Sequence, residues 1–142
     1  MPIEVGTPIP PFEVAAVSAE KMKTMSALMH DSNPIHFDVQ SVRALGMGDR
    51  TINQGPSNMA YVINMLAIWA GSYGRVRDFR LRFIGNVFAD DALRASGTVT
   101  ALRREGGHRL ADCEVRLDRA DGAKVLLGSA TVIVDDAMEA AA

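Results

Sequence analysis

The sequence predicts an α+β fold, one domain in which a long apolar helix lies against the concave face of a curved antiparallel sheet. Three observations carry this. Helical periodicity fills the first half of the chain, alternating periodicity fills the second, and residues 51–74 between them hold no charged side chain. Helices followed by a run of hairpin-linked strands segregate to one face of the sheet they cover.

In chain order, Val5 to Pro11 is rich in Gly and Pro and reads as an extended lead-in, with Phe12 to Val17 a first short strand. Ser18 has the side chain of an N-cap, and Glu20 sits in the first turn, where the helix dipole favours an acid. Met22, Met25, Leu28 and Met29 follow at helical spacing and form one apolar face, expected to be core. After a loop, Val39 to Leu45 forms a short helix ended by Gly46 and Gly48. Gly55-Pro56-Ser57-Asn58 starts the long helix, since proline is tolerated in a first turn. Its residues Met59, Ala60, Val62, Ile63, Met65, Leu66, Ile68 and Trp69 are apolar on nearly every side, so the helix is buried or spans a membrane. The run stops at Gly71 and contains Asn64, short of the roughly 20 residues a span needs, and a core helix is expected.

The period then changes. Phe79, Leu81 and Phe83 alternate with Arg80 and Arg82, and Leu93, Ala95, Gly97, Val99 and Ala101 repeat the pattern. Gly106-Gly107 and Asp121-Gly122 supply hairpin turns on either side of a strand over Leu110 to Leu117, and Lys124 to Val134 closes the set. The tail from 135 to 142 is expected to be loosely ordered. So small a sheet has an open edge, and pairing with a second copy would cover it, so a dimer is expected.

No internal repeat or linker interrupts the 142 residues, and residues 1–142 are expected to form one domain. A net charge of −2 gives no reason to expect a nucleic-acid partner. Arg75, Arg77, Arg80, Arg82, Arg103 and Arg104 cluster locally, either as solvated strand faces or as a dock for an anionic group. Cys113 is the only cysteine, which excludes an internal disulfide and a cysteine-built zinc site, and its apolar neighbours mark it as a small core residue. The three histidines, His30, His36 and His108, show no metal-ligand spacing, so no metal is expected. No basic stretch followed by an apolar core opens the chain, and a cytoplasmic location is expected.

The chemistry gathers in Asp31-Ser32-Asn33-Pro34-Ile35-His36, followed by Asp38. Pro34 fixes its own φ and pushes Asn33 out of the helical region, so the segment is a shaped loop carrying an acid and an imidazole. Such a pair can take a proton at one atom and give one at another. The competing reading is ordinary turn chemistry, with Asp31 or Asn33 capping a helix and His36 a satisfied, partly buried histidine.

This octapeptide resembles the signature Asp-x-Asn-Pro-(Leu/Ile/Val)-His-x-Asp of the MaoC-like (R)-specific enoyl-CoA hydratases, the hydratase-2 group with a hot-dog fold. Gly46-Met47, Gln54-Gly55-Pro56, the strand from Arg80 to Ala89 and Asp90-Asp91 match further family elements more loosely, and the likeness runs over nearly the whole chain. It implies Asp31 and His36 as the catalytic pair sharing one water, with Asn33, Pro34 and Asp38 orienting the site. It also implies the Gly55 backbone N–H as the oxyanion donor to an acyl-CoA or acyl-carrier-protein thioester, and no cofactor. If the arginine clusters dock an anionic group rather than form solvated strand faces, the phosphates of coenzyme A are such a group. Three positions depart from the family pattern. His30 stands where glycine is usual, Gln54 where histidine precedes the glycine, and Asn86 where proline is common. Ile68-Trp69-Ala70-Gly71 and Tyr61-Val62 resemble the small MaoC-like subunits that hydrate steroid or other bulky enoyl-CoA chains, some as heteromers with a second MaoC-like chain. A hot-dog acyl-CoA thioesterase and a non-catalytic acyl-binding subunit are the competing functions.

Overall fold

In the computed structural model, residues 2–135 are described. A strand, β1 (Pro8–Val14), leads into helix α1 (Ala19–Leu28), a single 3-10 turn (Pro34–His36), a short helix α2 (Val39–Ala44) and the long helix α3 (Gly55–Ala70). Four strands complete the chain: β2 (Val76–Phe83), β3 (Leu93–Glu105), β4 (His108–Arg119) and β5 (Lys124–Ile133). They form one antiparallel sheet in the order β1-β3-β4-β5-β2. Helix α3 contacts all five strands, as it must when a sheet curls around it. The fold is the hot-dog arrangement the resemblance implied.

The curl has a local signature. At Gly128 on β5, opposite Leu81 of β2, an added Cβ would lie 1.9 Å from the Arg80 carbonyl oxygen, so only glycine lets the two strands approach. Val62, Met65 and Leu66 of α3 pack with Ala95, Val115 and Leu117 in the core. Each large apolar side chain buried there contributes about 1.5–3 kcal/mol relative to exposure.

Three details differ from the sequence-based expectation. Strand β1 begins at Pro8 rather than Phe12 and ends at Val14. It is an edge strand, its register with β3 shifts between Ile9 and Phe12, and prolines 10 and 11 fall in that irregular stretch where no ladder donor is needed. Val17 instead exchanges backbone hydrogen bonds with Asp90 and Asp91. The methionine stripe of α1 is split: Met22 is fully buried and Ser26 shares its face, while Leu28 is 71% exposed and Met29 is exposed. The buried side of α1 is the i, i+4 pair at 22 and 26, which faces the segment preceding α3. Helix α3, in turn, leaves Ile68 68% exposed at one side, and Phe83 at the end of edge strand β2 is 51% exposed.

The other elements lie close to where periodicity put them. Ser18 caps α1 by accepting from the Lys21 N–H at 3.2 Å. Cys113 is buried, and burial together with the Asp112 charge pushes its thiol up to about 12. Arg77, Arg80, Arg82 and Arg104 are exposed, Arg80 beside Asp78, while Arg103 pairs with Asp112 and Glu105. Among the described residues no helix is long and apolar enough to cross a membrane. The tail expected to be loose begins at Asp135, and 136–142 lie outside the described residues.

Candidate active site

Asp31 owes its place to the end of α1. The helix closes with Met29, then His30 takes a left-handed conformation at φ 52°. The His30 N–H reaches the Ala27 carbonyl at 3.3 Å and the Asp31 N–H reaches the Ser26 carbonyl at 2.9 Å. This is a Schellman cap, with the departure residue at the position where glycine is favoured because it has no Cβ penalty. The family's glycine therefore has a backbone reason, and histidine there accepts strain of about 1 kcal/mol.

The turn then builds itself from its own polar atoms. Asp31 Oδ1 accepts from the Asn33 N–H at 3.0 Å, and Asn33 Oδ1 accepts from the Ile35 N–H at 3.3 Å, capping the 3-10 turn that Pro34 opens. Asp38 accepts from the Gln40 N–H at 3.0 Å and the Ser41 hydroxyl at 2.7 Å. These bonds, the hydroxyl's above all, hold its carboxyl below the usual carboxylate range. Its role is to start α2, and its own N–H ties back to the Pro34 carbonyl at 2.7 Å. Asn33 and Asp38 thus do the capping that the competing reading assigned to such a turn, which leaves one Asp31 oxygen and the His36 ring for something else.

His36 is 7% exposed, and its Nδ1 lies 2.6 Å from the Ile52 carbonyl oxygen. A carbonyl only accepts, so Nδ1 carries the proton, and in the neutral ring Nε2 keeps its lone pair. Nε2 faces Asp31 Oδ2 at 3.2 Å. At that separation the two atoms are within direct hydrogen-bond reach, and one proton carried by either of them joins the pair. Backbone bonds hold the Ile52 anchor firmly. Ile52 N–H donates to Ile35, Asn53 N–H donates to Val87, and Ala89 N–H donates to Thr51.

Two residues after Ile52 the chain enters α3. Gln54 is its N-cap residue and Gly55 its first helical residue, so the Gly55 N–H is among the first-turn amides that have no intrahelical acceptor and sit at the positive end of the dipole. An added Cβ at Gly55 would meet the Phe83 ring at 3.1 Å. Asn86, the third departure, gives its carbonyl to the Arg119 guanidinium at 3.1 Å, away from the acid–imidazole pair.

Asp31 borders a surface depression of about 440 Å³ with Lys23, Ser26, Ser32 and Phe37. Asn53 borders a second cavity, of about 420 Å³, with Met25 of α1 and Ser57, Tyr61 and Asn64 of α3. A larger trough of about 520 Å³ along the sheet contains none of the candidate residues. Among the described residues no three His, Cys, Asp or Glu side chains gather as a metal site. Sequence reading left Gln54 as a bare departure and gave Ser26 no role. Both are buried and joined by a hydrogen bond, a contact between segments 28 residues apart that no local pattern reveals.

Comparison with known proteins identifies the family and the fold. Residues 4–120 match the family described as MaoC like domain. A UPF0336 protein of Leifsonia xyli subsp. xyli is 30% identical over 139 residues, covering 91% of each chain. The (R)-hydratase from A. caviae involved in PHA biosynthesis superimposes with a TM-score of 0.81 at 25% identity, covering 94% of this chain and 98% of that one. In the ChsH1-ChsH2 complex from Mycobacterium tuberculosis, one chain shares the fold with a TM-score of 0.77 at 19% identity, covering 93% of this chain and 98% of that one.

Proposed function

The chain belongs to the MaoC-like domain family, and from that premise we propose that it hydrates trans-2-enoyl thioesters reversibly to (R)-3-hydroxyacyl thioesters. The observation that carries this reading is the acid–imidazole pair, His36 Nε2 at 3.2 Å from Asp31 Oδ2, with the ring oriented by the Ile52 carbonyl at Nδ1. One water held there gives a proton to one member of the pair as its oxygen bonds to C3. The C2=C3 electrons move toward the thioester and develop enolate charge on its oxygen, and the other member gives C2 the one proton that the pair carried at the start, so the pair again holds one proton at the end. Atoms balance as the addition of one water, and no cofactor enters. The Gly55 amide is the donor for the enolate oxygen, where a fixed N–H at a helix start stabilises developing charge. Asn33 and Pro34 shape the turn that holds the pair.

Exposed Ile68, Tyr73, Phe83 and Ile84, together with the open edge of β2, favour a second chain as partner. A second copy is one occupant. Another is a different MaoC-like chain, as in a heteromeric hydratase for bulky enoyl-CoA, and the ChsH1-ChsH2 assembly shows that chains of this fold form two-component complexes.

Mixing the purified protein with a series of trans-2-enoyl-CoA esters tests the reading. Absorbance of the conjugated thioester falls with no free thiol released. Thiol release without hydration would mark a thioesterase instead, and activity appearing only with an added MaoC-like chain would mark the heteromer.

A further inference from the structure

Gln54 is 1% exposed and stands immediately before Gly55, yet its side chain belongs to the other end of the site. Its Nε2 donates to the Met22 carbonyl at 2.8 Å and to the Ser26 hydroxyl oxygen at 3.0 Å, both on α1. The orientation is fixed by chemistry. The Met22 carbonyl only accepts, so turning the amide over would set two acceptors against each other. Ser26 is the residue whose carbonyl takes the Asp31 N–H at 2.9 Å. One side chain therefore links the amide at the start of α3 to the backbone that carries the catalytic acid.

The second observation is a cost. Gln54 Oε1 is buried with no hydrogen-bond partner. An unpaired buried acceptor is destabilising, and an apolar side chain of the same length would remove it. Stability alone therefore does not account for a glutamine here. Its reach as a double donor does, because no apolar residue bridges Met22 and Ser26.

We propose that Gln54 is a positioning residue that sets the Asp31 carboxylate in register with the Gly55 amide. The proposal rests on the hydration reading for its effect on rate, and on the hydrogen-bond path alone for its effect on structure. Misplacing one partner of a catalytic pair lowers turnover while leaving thioester binding largely intact.

The test compares wild type, Gln54→Met, Gln54→His and Ser26→Ala, with crotonyl-CoA as substrate well below each variant's melting temperature. Gln54→Met keeps length and removes the donors, and it is expected to lower kcat by about ten- to hundredfold with KM little changed. Gln54→His, which retains a ring N–H, is expected to recover part of the loss. Ser26→Ala removes one of the two acceptors on α1 and is expected to lower kcat in the same direction by a smaller factor, so the test survives if Gln54→Met does not fold. Amide hydrogen exchange is read on the same proteins, and faster exchange at Asp31 in Gln54→Met is expected. Unchanged kcat in folded Gln54→Met, or in Ser26→Ala if the first does not fold, overturns the proposal. Wild type inactive on the whole enoyl-CoA series, both alone and with an added MaoC-like chain, overturns the hydration reading instead. The exchange rate at Asp31 then decides the Gln54 claim by itself, faster exchange sustaining it and unchanged exchange overturning it.

Discussion

Two polar clusters in this protein are both built around aspartates and end in opposite states. At the corner where β4 meets the β2–β3 connection, Arg50 donates to the Ala89 carbonyl and to Asp91, and Arg119 donates to Asp121 and the Asn86 carbonyl. Both guanidinium groups also lie over the Phe88 ring, at 5.2 and 5.7 Å. Arg50 is paired with Asp91 and Arg119 with Asp121, so both cations are engaged in holding the corner. In the 31–38 turn, Asn33 and Asp38 are spent on capping, while Asp31 Oδ2 and His36 Nε2 face each other at 3.2 Å. A cluster that completes its own hydrogen bonds holds the fold together. One that leaves an acid and an imidazole paired beside a surface depression keeps groups that can exchange a proton.

The sharpest way to break this contrast is to remove one member of the pair. Asp31→Asn and His36→Ala are each expected to lower kcat/KM for an enoyl-CoA by about 10²–10⁴-fold or more while the melting temperature stays close to wild type. Full activity in both variants would place the chemistry elsewhere.

At the corner the expected outcome reverses. Arg119→Ala should cost about 1 kcal/mol of stability through the lost hydrogen bonds and ring contact, read by urea unfolding, with kcat unchanged. The same variant carries a pH signature. The Arg119 hydrogen bond, with help from the Ala123 N–H, holds Asp121 below the ordinary carboxylate range. A lowered folded pKa gives stability that is present above the unfolded value and lost as pH falls through the folded one. Wild type should therefore lose stability below about pH 4, and Arg119→Ala should lose less over the same interval. An identical acid limb would show that the pair contributes nothing there.

The smallest expected effect lies next to the acid. His30→Gly relieves the left-handed strain at the α1 cap and should stabilise by a few tenths to about 1 kcal/mol. Thermal melting reads this directly, and destabilisation would contradict the capping account.

What was legible in the sequence follows the same division. Strands β2 to β5 repeat an alternation every two residues, and α3 is marked by a charge-free run, so many residues report each element redundantly. The 31–38 turn was legible because its chemistry is local: donors and acceptors lie within a few residues of one another. The split face of α1 was not, because Ser26 is buried by Gln54, and a 3.6-residue period does not register a polar residue that becomes core through a distant partner. Nor was the start of β1, where edge position excuses prolines that would exclude a central strand. The orientation of the His36 ring depends on a carbonyl 16 residues away, which no local pattern reports.

The most direct measurement is the configuration of the product formed when wild-type protein equilibrates a trans-2-enoyl-CoA in water. The account predicts a 3-hydroxyacyl-CoA of (R) configuration, formed by wild type and lost in His36→Ala. An (S) product, or an unchanged enoyl-CoA in the presence of any partner chain the protein binds, would contradict it.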